Sequence, residues 1–432
     1  MIVVGGLQMG PKKAKGKKGK KGPVAPEQTT TQQIILDRSK MLCPRMGDVY
    51  FKTIEVESIL TDCVEKIVFK AADRGYSILH LSGMKMSIMP DLSSVISQLQ
   101  SLTDINLSKN LLFNAQQLFE ALVGIEGLKR LNVSQNFLNG ILPEIAGQCK
   151  NLESLNLDIN QLTGLSPGCV NQWASMKHFS IADNSLICLP EELSTWKNIE
   201  IINVKNNKIP EIPVSIFTNC SSSLQRLYIG YNLLTVIPEE IGECTKLQSL
   251  DFAANQITVL PTTLSKCADL ELLHLGNNKL VEIPPEIFAS LTKLKELQLY
   301  KNKLAIVPPE IGNLQAVERM SLASNNIKAL PEELGSCTSL QELYLGNNAK
   351  LSSFPNSAGH LHMLRELSLR KCPALKQLPN TAAEMVSLRE LDVRAMKKEV
   401  CKIAEEVFVS LEKQNCVVRG GVIKKGKPSK KG

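Results

Sequence analysis

The sequence predicts an α/β solenoid built from short, similar coils, and three observations indicate it. The pattern L-x-x-L-x-L-x-x-N-x-L recurs thirteen times in the 432 residues, at spacings of 23 to 26 residues. Within each copy two apolar residues alternate with polar ones, which is typical of a short half-buried strand. A Pro-Glu-Glu or Pro-Pro-Glu segment often follows, and proline suits the opening of a helical or 3₁₀ turn because no N–H is needed there. The copies begin at Leu102, Leu128, Leu152, Met176, Ile199, Leu224, Leu247, Leu270, Leu294, Val317, Leu340, Leu364 and Leu388.

A single copy explains how each element arises. Leu250 and Phe252 are expected to point into the solenoid, and Asp251 between them points out of a shared parallel sheet. Asn255 turns the chain, and its amide is expected to hydrogen-bond backbone groups of adjacent coils. This is the leucine-rich repeat signature. It predicts a horseshoe with a concave parallel β-sheet, short convex helices or 3₁₀ turns, and helical caps at both ends.

The apolar pattern and the composition divide the chain into five segments. We predict a basic disordered tail and linker over residues 1–47, a helical cap over 48–75, a solenoid of one degenerate and thirteen regular repeats over 76–395, a second helical cap over 396–416, and a basic disordered tail over 417–432. The apolar stripes that predict the two cap helices are Ile59, Cys63, Ile67 and Ala71, and then Val400, Ile403, Val407 and Leu411.

The formal net charge of +8 is concentrated in the two tails. Residues 1–26 contain seven lysines and no acid, and residues 419–432 contain six basic residues and no acid. The residues between them carry 37 bases and 42 acids, so the folded part is mildly acidic. Such tails can contact acidic surfaces, such as nucleic acid, membrane phosphates or acidic protein, or they can simply be solvated.

The twelve cysteines do not indicate a disulfide framework or a metal site. No C-x-x-C pair occurs. Cys149, Cys244, Cys267 and Cys337 each lie three residues before the first leucine of a repeat, where other repeats have leucine or tryptophan, so we expect them to be small buried apolar residues. With no apolar run long enough for a membrane span, this cysteine usage predicts a cytoplasmic location.

No pattern in the sequence predicts catalysis. The phosphate-binding loop, dinucleotide-binding, zinc-protease and serine-hydrolase motifs are all absent, and the five histidines are scattered. Glu191–Glu192, Glu239–Glu240 and Glu332–Glu333 recur with the repeat at the start of expected turns, where the helix dipole favours negative charge. We therefore predict a protein that is not an enzyme and has no cofactor and no metal.

The outward positions of the expected sheet indicate where a partner would bind. In the first half of the chain these positions are mostly asparagine and serine, whereas four of the six tyrosines fall on this face in the second half. Tyrosine and arginine are enriched at interface hot spots, although tyrosine also simply favours strands. The predicted partner-binding residues are Arg226, Tyr228, Tyr231, Asp251, His274, Tyr300, Lys301 and Tyr344.

The extended motif L-x-x-L-x-L-x-x-N-x-L-x-x-[LI]-P-x-E-[IL] resembles the intracellular Ras-group leucine-rich repeat proteins over about residues 76–395. The likeness is most specific at the end, in the irregular asparagine turn of residues 343–355, in Cys372-Pro373-Ala374-Leu375 and in Leu378-Pro379. The resemblance implies a non-enzymatic scaffold in small-GTPase signalling. It also implies that a Ras-type GTPase and a phosphatase catalytic subunit bind on the concave side.

Two other functions compete with this interpretation. The chain could be a structural or adaptor protein of the cilium or cytoskeleton, with its basic tails on acidic surfaces. It could also be a phosphatase regulatory subunit, because Lys66-Ile67-Val68-Phe69 fits the docking motif [RK]-[VI]-x-F. A docking motif must be extended and accessible, whereas Ile67 lies on the apolar stripe of the predicted cap helix, so we expect it to be buried.

Overall fold

The computed structural model describes residues 2–3, 64–394, 402–420 and 422–424. The chain divides into two compact units, residues 1–176 and 177–432. In each unit short strands form a parallel sheet, and the short helices and 3₁₀ turns between the strands pack against their neighbours in the next repeat. The predicted α/β solenoid of leucine-rich repeats is confirmed.

The first unit carries a parallel sheet and a second, smaller ladder. The sheet consists of β1 (Ile2–Val3), β2 (Ile78–His80), β3 (Asp104–Asn106), β4 (Arg130–Asn132) and β6 (Ser154–Asn156). The smaller ladder pairs β5 (Asn139–Leu142) with β7 (Gln161–Leu165). The helices are α1 (residues 64–73), α2 (Ala115–Leu122) and α3 (Pro167–Gln172), with 3₁₀ turns at Ile96–Gln98 and Glu144–Gln148.

The second unit repeats one strand and one turn per coil. Its strands are β8 (His178–Ser180), β9 (Ile201–Asn203), β10 (Arg226–Tyr228), β11 (Ser249–Asp251), β12 (Leu272–His274), β13 (Glu296–Gln298), β14 (Arg319–Ser321), β15 (Glu342–Tyr344), β16 (Glu366–Ser368), β17 (Glu390–Asp392), β18 (Lys402–Ala404), β19 (Val417–Arg419) and β20 (Val422–Lys424). The helices are α4 (Val214–Asn219), α5 (Pro285–Ser290) and α6 (Glu405–Lys413). The 3₁₀ turns are Glu191–Thr195, Glu239–Glu243, Thr262–Lys266, Pro309–Asn313, Glu332–Ser336, Asn356–His360 and Asn380–Glu384.

The proline-glutamate segments start the turns, as predicted. Pro238 is the N-cap of the turn Glu239–Glu243, and its carbonyl accepts a hydrogen bond from the N–H of Ile241 at 3.2 Å. Proline is tolerated at this position because a backbone N–H at the start of a turn has no acceptor within the turn. Glu239 and Glu240 lie in the first turn, at its positive end.

The repeated asparagines form a buried hydrogen-bonded ladder within each unit. Asn232 donates from Nδ2 to the carbonyls of Ile229 in its own repeat and Val204 in the preceding one, both at 3.0 Å. Its Oδ1 accepts from the N–H of Ile209 at 3.0 Å. One side chain therefore satisfies three buried backbone groups, as the sequence predicted. The same arrangement recurs at Asn110, Asn136, Asn207, Asn255, Asn278, Asn302, Asn325 and Asn348.

The residue immediately before each repeat asparagine has a left-handed backbone, a feature that the sequence did not indicate. Tyr231 has φ of +58° and Lys301 has φ of +53°, and equivalent residues in other repeats are similar. This single left-handed residue ends the extended strand and reverses the chain into the turn. Because none of these residues is glycine, each of them costs some backbone free energy.

The described residues at both ends of the chain include strands that were not predicted. The predicted disordered tail over residues 1–47 contains β1, which pairs in parallel with Leu79 and His80 of β2. Of the predicted cap over 396–416, residues 396–401, which include Val400, lie outside the described residues; the chain then forms β18 and α6 from Glu405, so Ile403 lies in a strand. The predicted tail over 417–432 begins with β19, which joins the sheet beside β17, and includes β20, which pairs with β18.

The N-terminal cap prediction is tested only in part. Residues 64–73 are helical, and Ile67 and Ala71 of the predicted stripe are buried. Ile59 and Cys63, at its start, lie outside the described residues. None of the helices in the described residues has the length and apolarity that crossing a membrane requires.

Candidate functional site

The outer face of the second unit's sheet carries most of the predicted partner-binding residues. We define this face by the first and third residues of each three-residue strand, because the middle residue is buried. In β10, Leu227 is buried, whereas Arg226 is exposed and Tyr228 is half-buried. Tyr228 is paired in register with Asp251 of β11 and with Asn203 of β9. The three-residue strands thus place side chains from successive repeats in straight rows.

Four polar and aromatic side chains form one cluster at the edge of this face, where Asp251 ends β11 and where Lys205, Tyr231 and Tyr300 lie two or three residues beyond the ends of β9, β10 and β13. Lys205 Nζ lies 2.7 Å from Asp251 Oδ2 and 5.9 Å from the ring centre of Tyr231. Asp251 is only 4% exposed, and its Oδ1 also accepts from the N–H of Ala253 at 2.9 Å. Burial raises the pKa of Tyr300, and the nearby Tyr231 and Asp251 raise it further, while Lys205 opposes them. We call Lys205, Tyr231, Asp251 and Tyr300, together with the adjacent Tyr228, the tyrosine cluster.

A glycine makes room for one ring of the tyrosine cluster. A β-carbon on Gly276 would lie 2.4 Å from Cε1 of Tyr300, so the Tyr300 ring lies directly over the backbone of the preceding repeat. Gly230 has the corresponding position beside Asp251, where an added β-carbon would lie 2.9 Å from Oδ1. These glycines allow the ring and the carboxylate to pack against the backbone.

Lys205 is the member of the cluster that sequence analysis missed. It occupies the same repeat position as Gly230, Gly276 and Tyr300, two residues after the central outward position. Reading that position across successive repeats would have shown lysine, glycine, alanine, glycine and tyrosine, at Lys205, Gly230, Ala253, Gly276 and Tyr300. Its partnership with Asp251 spans 46 residues and two strands, so only the fold brings the two groups together.

His274 belongs to a separate network around one carboxylate. Its Nε2 lies 3.0 Å from Glu296 Oε1, and Arg319 Nη2 lies 2.6 Å from Glu296 Oε2. Gln298 also donates to Glu296 Oε1 at 3.1 Å. Burial alone would raise the pKa of Glu296, but the hydrogen bonds from Arg319 and His274 outweigh it and hold the pKa below its usual value. His274 is therefore bonded within the sheet.

This network leads to a prediction for Glu296→Gln. We expect the free energy of unfolding of the second unit to fall by about 1–2 kcal/mol at pH 7, because charge-assisted hydrogen bonds are lost. The lowered folded-state pKa means that the unfolded chain binds more protons, so the stabilisation is complete above the unfolded pKa of about 4.3 and is lost as the pH falls through the folded value. Urea unfolding followed by circular dichroism between pH 7 and pH 3 measures this.

A suitable control is Glu271→Gln, because Glu271 pairs with Lys295 at 2.8 Å with half of its side chain exposed. That change should alter stability by less than about 0.5 kcal/mol at any pH. If the gap between wild type and Glu296→Gln were as wide at pH 3 as at pH 7, the pH dependence proposed for Glu296 would be wrong.

The remaining predicted residues, Arg226, Lys301 and Tyr344, are not members of the cluster. The hydroxyl of Tyr344 is 2.8 Å from Glu366 Oε2 and 3.1 Å from Glu342 Oε2. Burial and these two carboxylates raise the pKa of Tyr344 well above its ordinary value. Lys301 and Arg226 are exposed. Tyr228, Tyr231, Asp251 and Tyr300 thus belong to the tyrosine cluster, and His274 and Tyr344 bind carboxylates outside it. Arg226 shares β10 with Tyr228, and Lys301 directly follows Tyr300.

The segment Lys66-Ile67-Val68-Phe69, which fits the phosphatase docking motif, lies in helix α1. Ile67 and Val68 are 5% and 1% exposed within α1, and only Phe69 is substantially exposed, at 45%. Neither buried residue is available to an extended docking strand. The expected burial of Ile67 is confirmed.

The four singled-out cysteines are buried free thiols, as expected. The Sγ atoms of Cys267 and Cys337 donate to carbonyls of the preceding turns, Ile241 at 3.3 Å and Ile311 at 3.2 Å. Burial raises the pKa of each of these thiols to about 12. Such thiols are unreactive near neutral pH. No cluster of histidine, cysteine or acidic residues within the described part of the chain could hold a metal ion.

Family comparisons agree with this geometry. A leucine-rich repeat region model matches residues 286–417, and leucine-rich repeat models match residues 126–186, 197–257 and 269–291. The chain is a leucine-rich repeat protein. No curated protein matches this leucine-rich repeat protein significantly along its sequence.

Many solved structures share the fold. The Leptospira interrogans leucine-rich repeat protein LIC12759 is 25% identical with a TM-score of 0.60, and the alignment covers 81% of this chain and 98% of that one. The Arabidopsis thaliana receptor kinase ectodomain GASSHO1/SCHENGEN3, solved with CASPARIAN STRIP INTEGRITY FACTOR 2, is 23% identical with a TM-score of 0.55, covering 79% of this chain and 51% of that one. The Arabidopsis receptor kinase HAESA, solved with the peptide hormone IDA and the co-receptor SERK1, is 21% identical with a TM-score of 0.59, covering 77% and 60%. This leucine-rich repeat protein therefore spans about half of the first receptor.

Proposed function

We propose that this leucine-rich repeat protein is a non-enzymatic scaffold that holds a protein partner on the outer sheet face of its second unit, at the tyrosine cluster. The observation that carries the proposal is the fixed placement of the rings. Tyr231 is 52% exposed beside the Lys205–Asp251 ion pair, and the half-buried Tyr300 lies over Gly276. A ring that is already held in place loses little entropy on binding, which is why such rings make strong interface anchors.

The proposed class of partner rests on the fold and on the resemblance to the Ras-group leucine-rich repeat proteins. HAESA was solved with a peptide hormone, which supports a protein or peptide ligand for this sheet. The irregular asparagine turn and Cys-Pro repeat near the end of the solenoid support a Ras-type GTPase as the first candidate and a cytoplasmic role in small-GTPase signalling. The nine free cysteines of the described residues suit a reducing compartment.

The variant Tyr228→Ala/Tyr300→Ala tests the proposal. We expect it to lose at least about 2 kcal/mol of binding free energy, roughly thirty-fold in affinity, because two central anchors are truncated. Purified wild type and variant are used to capture partners from native cells, with quantitative mass spectrometry and with small GTPases scored first. Circular dichroism verifies that the variant folds.

A control and a finer variant sharpen this experiment. Phe113→Ala/Phe137→Ala removes two rings that are 50% and 47% exposed in the first unit, so it should leave capture unchanged. Gly276→Ala retains every tyrosine but displaces the Tyr300 ring, so it should weaken capture as well. If the tyrosine double variant folded and captured the same partners at the same level, the proposal would be refuted.

A further inference from the structure

Three repeats have an arginine at the first position of a strand on the outer face, and two of these arginines are neutralised within the chain. Arg130 forms a two-pronged pair with Asp104, including Nη2 to Oδ2 at 2.7 Å. Arg319 Nη2 lies 2.6 Å from Glu296 Oε2. In both cases the carboxylate belongs to the residue paired in register on the preceding strand. The sheet thus has a standard way to neutralise an arginine at this position.

The third arginine, Arg226, lacks such an acid. Its neighbours in register are Ile201 on β9 and Ser249 on β11. Among the ion pairs of the described residues, none includes the exposed Arg226. The acid of the nearby tyrosine cluster, Asp251, is already paired with Lys205.

The neighbour Ser249 provides a second, independent observation. It is only 8% exposed, and its Oγ makes no hydrogen bond to any other group of the described chain. A buried hydroxyl without a partner is costly, so such groups are rare unless something outside the chain satisfies them. An exposed, unpaired arginine and a buried, unpaired hydroxyl therefore lie side by side on neighbouring strands.

We infer that Arg226 and Ser249 form a carboxylate-binding site for an aspartate or glutamate side chain of the protein partner. The carboxylate would lie between Arg226 and Ser249, which are paired in register on β10 and β11, as Arg130 and Arg319 are paired in register with their acids. The guanidinium fork matches a planar carboxylate, and the Ser249 hydroxyl donates to it. Because a single unpaired cation is present, the site suits a monoanion better than a phosphate dianion.

This inference rests on the proposed function, because Tyr228 lies two residues from Arg226 on the same strand. The partner segment would place an acidic residue beside the residues that contact the tyrosine cluster. The charge fixes register and selects against partners without an acid, while the rings supply most of the affinity.

The test uses a phage-displayed library of random dodecapeptides selected against the full chain. Peptides that bind the wild-type chain but not the variant Tyr228→Ala/Tyr300→Ala are kept. These peptides are expected to share an aspartate or glutamate. Changing that residue to its amide, or changing Arg226→Gln, should each weaken binding about ten-fold, and the two changes together should weaken it no further. Ser249→Ala should weaken binding several-fold without destabilising the free protein. Arg365→Gln, an exposed arginine elsewhere in the unit, should have no effect.

Each other outcome is informative. Tyrosine-dependent peptides that bind Arg226→Gln as well as wild type would overturn the carboxylate site while leaving the proposed function standing. If no selected peptide depended on the tyrosines, both would fall. A phosphoserine version that bound far more tightly than the acidic peptide would contradict the assignment to a carboxylate.

Discussion

Replacing Trp196 with alanine is expected to lower the free energy of unfolding of the second unit by about 3–5 kcal/mol. The side chain is fully buried, and its ring lies edge-on to Phe179 with centroids 5.0 Å apart. Alanine would leave a cavity that the stacked repeats cannot readily close, because backbone hydrogen bonds hold each neighbouring repeat in place. Guanidinium unfolding followed by circular dichroism gives the value without relying on the removed fluorophore.

The same repeat position provides the control. Cys267 lies three residues before Leu270, the first residue of its repeat, as Trp196 lies three residues before Ile199, and it is equally buried. Cys267→Ala removes a single sulfur atom and should cost about 1 kcal/mol. Equal costs for the two changes would mean that Trp196 does not fill the space between the turns.

The second large effect is expected for Asn278→Leu, which keeps the side-chain volume but removes the amide. Asn278 donates to the carbonyls of Phe252 at 2.9 Å and Leu275 at 3.0 Å, and it accepts from the N–H of Ile257 at 3.0 Å. The change removes three hydrogen bonds and leaves the buried N–H of Ile257 unpaired, while the two carbonyls keep their bonds from Asn255 and Asn302, and it should cost about 3 kcal/mol. Denaturant unfolding measures the loss, and amide exchange at Ile257 should accelerate.

The adjacent residue distinguishes this role from a general effect of losing an asparagine. Asn277 is exposed and has φ of +57°, which glycine adopts without strain. Asn277→Gly should therefore change stability by less than about 0.5 kcal/mol. A similarly small effect of Asn278→Leu would show that the ladder does not hold adjacent repeats together.

The periodic features of the chain could be predicted from sequence because each repeat poses the same physical problem. Leu250 and Phe252 had to point inward to bury apolar area. Asn255 had to satisfy backbone groups at the turn, and the same argument applied in every other repeat. The identity of the fold followed from this recurrence.

The tyrosine cluster could be predicted only in part. Tyr228 and Tyr300 were recognised because tyrosine is enriched at interface hot spots and the other outward positions are mostly small or polar. Lys205 was missed because its partner, Asp251, lies two strands away, and position-by-position reading does not reveal such pairs. His274 was grouped with the binding residues by position alone, whereas Glu296 on the next strand binds it within the sheet.

The C-terminal end shows a different limit of sequence analysis. The apolar spacing of Val400, Ile403, Val407 and Leu411 fits one helical face, yet the helix begins only at Glu405. The last repeat strand, β17, would otherwise present an unpaired edge, and β19 covers it. The need to cover that edge depends on the stacked sheet, so local periodicity did not reveal it.

Site-specific photo-crosslinking tests the central claim most directly. p-Benzoylphenylalanine is placed at position 228 on the outer face of the second unit and, as a control, at position 137, where Phe137 is exposed in the first unit. Irradiation in native cells should link a protein partner to the chain through position 228 and not through position 137. Partners that were linked through position 137 while position 228 stayed unlinked would contradict binding at the tyrosine cluster.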